Sequence, residues 1–211
     1  MRIEIFSDVV CPWCHVGHAR LQQALALRRD RAIEVIWLPF ELNPQLPPEG
    51  RNRREYLTER FGNPNPFAKG QQQLLELGRE LGIDFRFDSI ERAPNTRRAH
   101  ALAAAALQES PARQAEVIRG LFEAYFIAGR DVGDPQVLVE IGAGAGMDEA
   151  RARAALDDAG LHAQIAEIES LAQRSNITGV PTFIFDRRQG FSGAQPLEVF
   201  LRVIDEFAPA A

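Results

Sequence analysis

The sequence predicts an α/β fold in which one mixed sheet, built from both ends of the chain, is interrupted by an all-helical block. Three observations carry this. Strand-like apolar alternation at the N-terminus gives way to helical spacing and then to a second strand, about a hundred middle residues show helical periodicity alone, and strand patterning returns only near the C-terminus.

Taken in order, Arg2 to Ser7 alternates with Ile3 and Ile5 on one face, and Asp8 breaks the run. From Pro12 the spacing turns helical through Val16, Ala19, Leu25 and Leu27, and Ile33 to Phe40 reads as a second, largely buried strand. Pro44, Pro47, Pro48 and Gly50 punctuate a loop. Helical faces follow, first Leu74, Leu75, Leu77 and Leu81, later Val117, Ile118, Leu121, Phe122, Tyr125 and Phe126. Between them Asn95-Thr96 opens an alanine-rich helix from Ala99 to Leu107, with Asn95 as its expected cap. Asp134-Pro135 and Asp148 open two more helices. Gly142, Gly144 and Gly146 mark a helix end, because no strand precedes them as a phosphate loop requires.

Leu161, Ile165, Ile168 and Leu171 mark a helix from Leu161 to Ser175, followed by Gly179-Val180-Pro181 and a strand from Thr182 to Phe185. A short strand near Gly190 to Ser192 and an amphipathic helix from Leu197 to Phe207 end the pattern. Residues 1–42 and 160–211 are thus expected to share one sheet, with 43–159 as an inserted helical domain.

Composition narrows the function classes. The chain has 211 residues, 45% apolar and 25% charged, the make-up of a globular protein with enough length for a real core. Its net charge is -5, and arginines alternate with acids, as Arg28, Arg29 and Arg31 do around Asp30, so no basic face for nucleic acid stands out. No stretch approaches the ~20 apolar residues of a membrane span, and the N-terminal apolar run is too short for a secretory leader. A cytoplasmic chain is therefore expected, in which the Asn176-Ile177-Thr178 sequon has no meaning. Whether it is a monomer or a homodimer stays open.

Only two cysteines are present, Cys11 and Cys14, so they cannot cross-link distant segments. In a reducing compartment such a pair is catalytic or metal-binding more often than structural. Cys11-Pro12-Trp13-Cys14 falls where a strand gives way to a helix. A cysteine at the first turn of a helix has its thiolate stabilised by free N–H groups and the positive end of the dipole, and thiolate is the nucleophilic form. Pro12 suits the first helical position, where its missing N–H costs nothing. Cys14, one turn along, is placed to resolve a mixed disulfide, with Cys11 exposed and Cys14 more buried and of higher pKa. Trp13 shapes the rim. Pro181 is either a tolerated strand starter or the second half of a cis Val180-Pro181 bond that presents the Val180 backbone to a peptide or thiol.

Ser7-Asp8 ahead of Cys11-Pro12-Trp13-Cys14, then Gly17, Asn95-Thr96 with Ala99-His100, Gly179-Val180-Pro181-Thr182-Phe183 and Gly193-Ala194-Gln195-Pro196 resemble the FrnE-type branch of the DsbA-like thioredoxin-fold proteins. The resemblance spans nearly the whole chain. It implies a thioredoxin fold with an inserted helical lobe, catalytic Cys11 and Cys14, a cis-Pro181 loop beside them, and a supporting role for His100 facing the dithiol. Pro12, Trp13, Asn95, His100, Val180 and Pro181 are the substrate-side candidates. Cytosolic members of the branch are dithiol-disulfide isomerases or oxidoreductases acting on thiols or disulfides. Some carry a further cysteine pair near the C-terminus, which this chain lacks.

Three rivals compete. Cys11-Pro12-Trp13-Cys14-His15 fits covalent haem attachment, but that chemistry needs an exported chain. Cys11, Cys14, His15 and His18 offer zinc-ligand atoms, yet adjacent residues of a helix point in different directions, so no metal is expected. His15 and His18 are expected to face solvent, with His15 able to tune the thiolate. The third rival is a glutathione-dependent isomerase or transferase, similar to 2-hydroxychromene-2-carboxylate isomerases and kappa-class glutathione transferases. Those relatives generally have a serine where Cys11 stands, so a dithiol favours redox work. No resident cofactor beyond the redox disulfide is expected, with glutathione as a candidate co-substrate.

Overall fold

The computed structural model describes residues 1–208, so Pro209, Ala210 and Ala211, the end of the 160–211 segment, lie outside the described residues. The chain opens as β1 (Arg2–Ser7), α1 (Pro12–Ala26) and β2 (Glu34–Pro39). It continues through β3 (Arg51–Asn52), α2 (Arg53–Phe61), α3 (Ala68–Leu81) and β4 (Arg92–Ala93). Five helices follow: α4 (Arg97–Glu109), α5 (Pro111–Phe126), α6 (Pro135–Gly144), α7 (Glu149–Ala155) and α8 (Ala159–Arg174). β5 (Thr182–Phe185), β6 (Gln189–Ser192) and α9 (Leu197–Phe207) complete it.

The main sheet runs in the order β2-β1-β5-β6. β1 pairs in parallel with β2, which demands a crossover, and α1 supplies it. On its other side β1 runs antiparallel to β5, with Ile5 opposite Trp37 on one flank and Phe183 on the other. Strands from the two ends of the chain therefore lie side by side at the centre. Ile3, Ile5, Phe183 and Phe185 are fully buried there. One continuous apolar cluster joins this sheet to Leu102, Phe122, Leu138 and Leu156 of the helical lobe. The sheet and its helices thus form a thioredoxin-type fold, with the helical lobe inserted and sharing its core. The Gln114 side chain of α5 both accepts from the Trp37 N–H and donates to the Trp37 carbonyl, each at 2.9 Å, which fastens lobe to sheet at the β2 edge.

Several expectations need correcting. The middle block is not purely helical, since β3 and β4 pair as a two-stranded antiparallel ladder. Two residues per strand are too few to leave an alternation in the sequence. Leu27 and Leu171, expected on buried helix faces, are 57% and 51% exposed, while Leu21 and Ala24 of α1 are fully buried. Asn95 is not the cap residue itself: α4 begins at Arg97 after Thr96, and the Asn95 Oδ1 accepts the Arg97 N–H from one position earlier, at 3.0 Å. Asp134, Asp148 and Asp158 cap α6, α7 and α8 through their carboxylates, and α6 ends at Gly144, as the Gly142 to Gly146 stretch predicts.

Candidate active site

The end of β1 and the start of α1 build the site. Asp8 breaks the strand, and its carbonyl accepts the Cys11 N–H at 3.0 Å, turning the chain into the helix. Cys11 is the N-cap, in extended conformation, and Pro12 occupies the first turn. The Cys11 carbonyl then accepts the N–H groups of Cys14 and His15 at 3.0 and 3.3 Å, which stacks the two cysteines one turn apart.

Across from them lies the Val180-Pro181 bond, which is cis. The Val180 carbonyl oxygen is 3.8 Å from the Cys11 Sγ, within reach of a thiol donor. This loop covers Cys11 more than the sequence predicts: the residue is only 6% exposed, while Cys14 is fully buried. The expected exposed Cys11 is corrected accordingly. Pro12, Trp13 and Val180 are half-buried around it, and Pro181 is buried.

Burial pushes the Cys14 thiol well above its ordinary value, and the adjacent Cys11 side chain adds to the shift. The Ser7 hydroxyl, buried and with no hydrogen-bond partner of its own, and the Asp8 main chain pull the other way, favouring the charged sulfur. Asp8 itself holds the Cys11 N–H through its carbonyl. Its carboxylate, fully buried, accepts the Leu42 N–H at 2.7 Å and lies 3.6 Å from the His100 Nε2. His100 is buried on α4 and meets the dithiol segment through Asp8. Asn95 has its side chain occupied elsewhere, by the Leu46 carbonyl at 2.7 Å and the Arg97 N–H.

The two histidines of α1 do not face solvent. His15 stacks on Phe122 at 4.9 Å and touches Phe85 and Phe126, while His18 leans on Trp37 and Phe122. Burial lowers His15 to about 3, helped by His18, and lowers His18 to about 4, helped by the Arg119 cation. Their rings sit in a phenyl cluster of the lobe. An amphipathic reading fails for α1 because the helix is covered by the sheet on one side and by the lobe on the other. Among the described residues, no group of three His, Cys, Asp or Glu side chains is arranged to hold a metal ion.

Sequence reasoning missed a second buried charge group. Glu41, just after β2, forms an ion pair with Arg97, whose guanidinium also lies 3.3 Å from Glu169 of α8. Burial, with the Glu169 carboxylate adding to it, raises Glu41 to about 7, against the pull of His100 and Arg97. Its members come from three separate segments, so no local signal announces them. Gly17 is also informative: a Cβ there would stand 3.0 Å from the Phe183 Cζ and 3.2 Å from the Pro181 Cγ. Only the hydrogen of glycine lets the dithiol helix approach the Pro181 loop this closely.

The profile of the DSBA-like thioredoxin domain family matches residues 2–205. A probable DsbA oxidoreductase from Streptomyces coelicolor is 33% identical and superposes with a TM-score of 0.86, over 98% of this chain and 89% of that one. A 2-hydroxychromene-2-carboxylate isomerase shares the fold at 14% identity, with a TM-score of 0.74 over 98% of this chain and 95% of its own. So does the cytosolic disulfide reductase DsbM from Pseudomonas aeruginosa, solved with GSH, at 20% identity and a TM-score of 0.69 over 98% of each chain.

Proposed function

The chain belongs to the DSBA-like thioredoxin domain family, and from that premise we propose that it is a cytoplasmic thiol-disulfide oxidoreductase of the FrnE-type branch, working by mixed-disulfide exchange at Cys11. The observation that carries this reading is the pairing of Cys11 at the N-cap of α1 with Cys14 one turn behind it, under the Val180 carbonyl. Two sulfurs at that spacing can close a ring, which a one-sulfur glutathione isomerase site does not need.

In the reducing direction the Cys11 thiolate attacks a substrate disulfide, forming a Cys11 mixed disulfide and expelling one substrate thiolate. The Cys14 sulfur then attacks the Cys11 Sγ, its proton passing to the departing substrate sulfur. The second substrate thiol leaves, two electrons have passed to the substrate, and Cys11 and Cys14 are joined. The Ser7 hydroxyl, which has no other hydrogen-bond partner, is free to turn to the Cys14 sulfur once that sulfur is charged and so assists the second attack. A glutathione thiol pair, oxidised to glutathione disulfide, returns the enzyme to its dithiol form. The GSH bound to DsbM, a protein of the same fold, supports that choice of co-substrate. Oxidation of a substrate dithiol is the same sequence in reverse.

The test is a pair of substitutions. Cys14→Ser should accumulate a covalent adduct with a cysteine-bearing substrate, visible by mass spectrometry, and Cys11→Ser should form none. Turnover by Cys11→Ser, or an isomerase activity that survives Cys14→Ser, would overturn the reading.

A further inference from the structure

The Pro181 loop and the dithiol helix come from opposite ends of the chain, and one side chain ties them together from behind. Arg20, further along α1 than the cysteines, donates through Nη1 to the Ala194 carbonyl at 2.5 Å and the Gln195 carbonyl at 3.3 Å. Both carbonyls belong to the Gly193–Pro196 turn that joins β6 to α9. Gly193 takes the left-handed conformation, with φ at 83°, and its N–H donates to the Pro181 carbonyl at 2.7 Å. Gln195 closes the turn by donating from Nε2 to the Ser192 carbonyl at 2.8 Å. Thr182 completes the set, its hydroxyl bonded to the Gly179 carbonyl and to the Ser192 hydroxyl, each at 2.8 Å.

A continuous run of hydrogen bonds therefore leads from the dithiol helix through the turn into the loop that presents Val180. We propose that Arg20 is a positioning residue for this site, fastening the Gly193–Pro196 turn to the dithiol helix so that the Val180 carbonyl stays opposite Cys11, where an extended cysteine-bearing peptide segment binds. The inference rests on the reading of Cys11 as the reacting sulfur. The apolar contact of Gly17 with Pro181 and Phe183 limits how closely helix and loop approach, but it does not resist sliding of one past the other. A guanidinium on two carbonyls does, because those bonds are directional and charge-assisted. A small electrophile needs only the Cys11 sulfur. A peptide also needs the backbone beside it, by the logic of strand addition.

The test compares Arg20→Met with wild type in three measurements. Removing the guanidinium should raise KM for a peptide disulfide about fivefold with kcat held within about twofold. Alkylation of Cys11 by iodoacetamide should change by less than about twofold, since the sulfur itself is untouched. Amide hydrogen exchange at Gly193, the donor to Pro181, should speed up about tenfold as the turn loosens. Unchanged KM together with unchanged Gly193 exchange overturns the proposal, and so does an equal loss toward peptide and iodoacetamide. Should Arg20→Met fail to fold, Arg20→Lys carries the test, because a freely rotating ammonium replaces the fixed Nη1 that bridges both carbonyls. A rise in both KM and Gly193 exchange supports the proposal, and wild-type values for both defeat it. Absence of any disulfide exchange by the wild-type protein would instead refute the assignment of Cys11.

Discussion

The Val180 carbonyl oxygen stands 3.8 Å from the Cys11 Sγ across a sequence separation of 169 residues. The reacting sulfur therefore sits where the first helix meets the last third of the chain, and its accessibility is set by the loop rather than by the helix. Cys14 lies behind it, fully buried. The division of labour between the sulfurs follows from that depth.

At neutral pH a limiting amount of iodoacetamide should modify Cys11 and leave Cys14 nearly untouched. Burial and the neighbouring sulfur hold the Cys14 thiol well above its ordinary value, so its thiolate is scarce, and no path from solvent reaches it. Peptide mapping by mass spectrometry reads the result. Equal labelling of the two positions would contradict the order of attack.

Ser7→Ala should slow release from the mixed disulfide while leaving its formation alone. The Ser7 hydroxyl favours the Cys14 thiolate, and a hydrogen bond to a charged sulfur contributes about 1.5 kcal/mol, roughly tenfold in rate. Stopped-flow fluorescence with Trp13 as reporter separates the two phases. A change confined to the first phase would assign Ser7 to the wrong sulfur.

Much of this was legible before any coordinates, and the pattern of failure has a physical cause. β1, β5 and α9 fall where local alternation and periodicity place them, from Arg2 to Ser7, Thr182 to Phe185 and Leu197 to Phe207. Each has a dense apolar signal on one short segment. Polarity places His15 and His18 in solvent, whereas both are buried, because a helix packed on two sides has no solvent stripe to read. Glu41, Arg97 and Glu169 are ordinary charged residues in their own segments and become a cluster only when β2, α4 and α8 converge. Gly17 and Arg20 lie beyond local reasoning for the same cause, since their partners are at the far end of the chain.

Gly17→Ala should lower stability by about 1 kcal/mol even though alanine is the better helix former. Helix propensity favours the change by about 1 kcal/mol. Against it, the new Cβ meets Phe183 at 3.0 Å and Pro181 at 3.2 Å, and Phe183 is held from behind by Phe200 at a centroid distance of 4.9 Å. Overpacking of that kind typically costs about 1 to 3 kcal/mol, so the clash wins. Urea unfolding measures the difference, and a more stable variant would show that the loop yields.

Stability should depend on pH through three buried groups whose signs differ. His15 and His18 are held near 3 and 4 in the folded chain, below their ordinary 6.5. Through the middle of the range from about pH 4.5 to 6.5 the unfolded state therefore binds close to two more protons at these sites than the folded one, and stability falls as the solution is acidified. Glu41 works the other way, because its folded value of about 7 lies above the ordinary 4.5, so in the same window the folded state holds one extra proton. The net difference is one proton. Unfolding free energy should accordingly drop by about 1.4 kcal/mol per unit from pH 6.5 to 4.5. Between about pH 6.5 and 7 the unfolded imidazoles are still losing protons while Glu41 ionises in the folded chain, so the two slopes nearly cancel and stability should level off. His15→Phe keeps a ring stacked on Phe122 at that position and removes one of the two imidazoles, which should flatten the acid slope to near zero. Urea titrations at half-unit pH steps decide the matter: an unchanged slope in His15→Phe would mean that the imidazole is already solvated in the folded state.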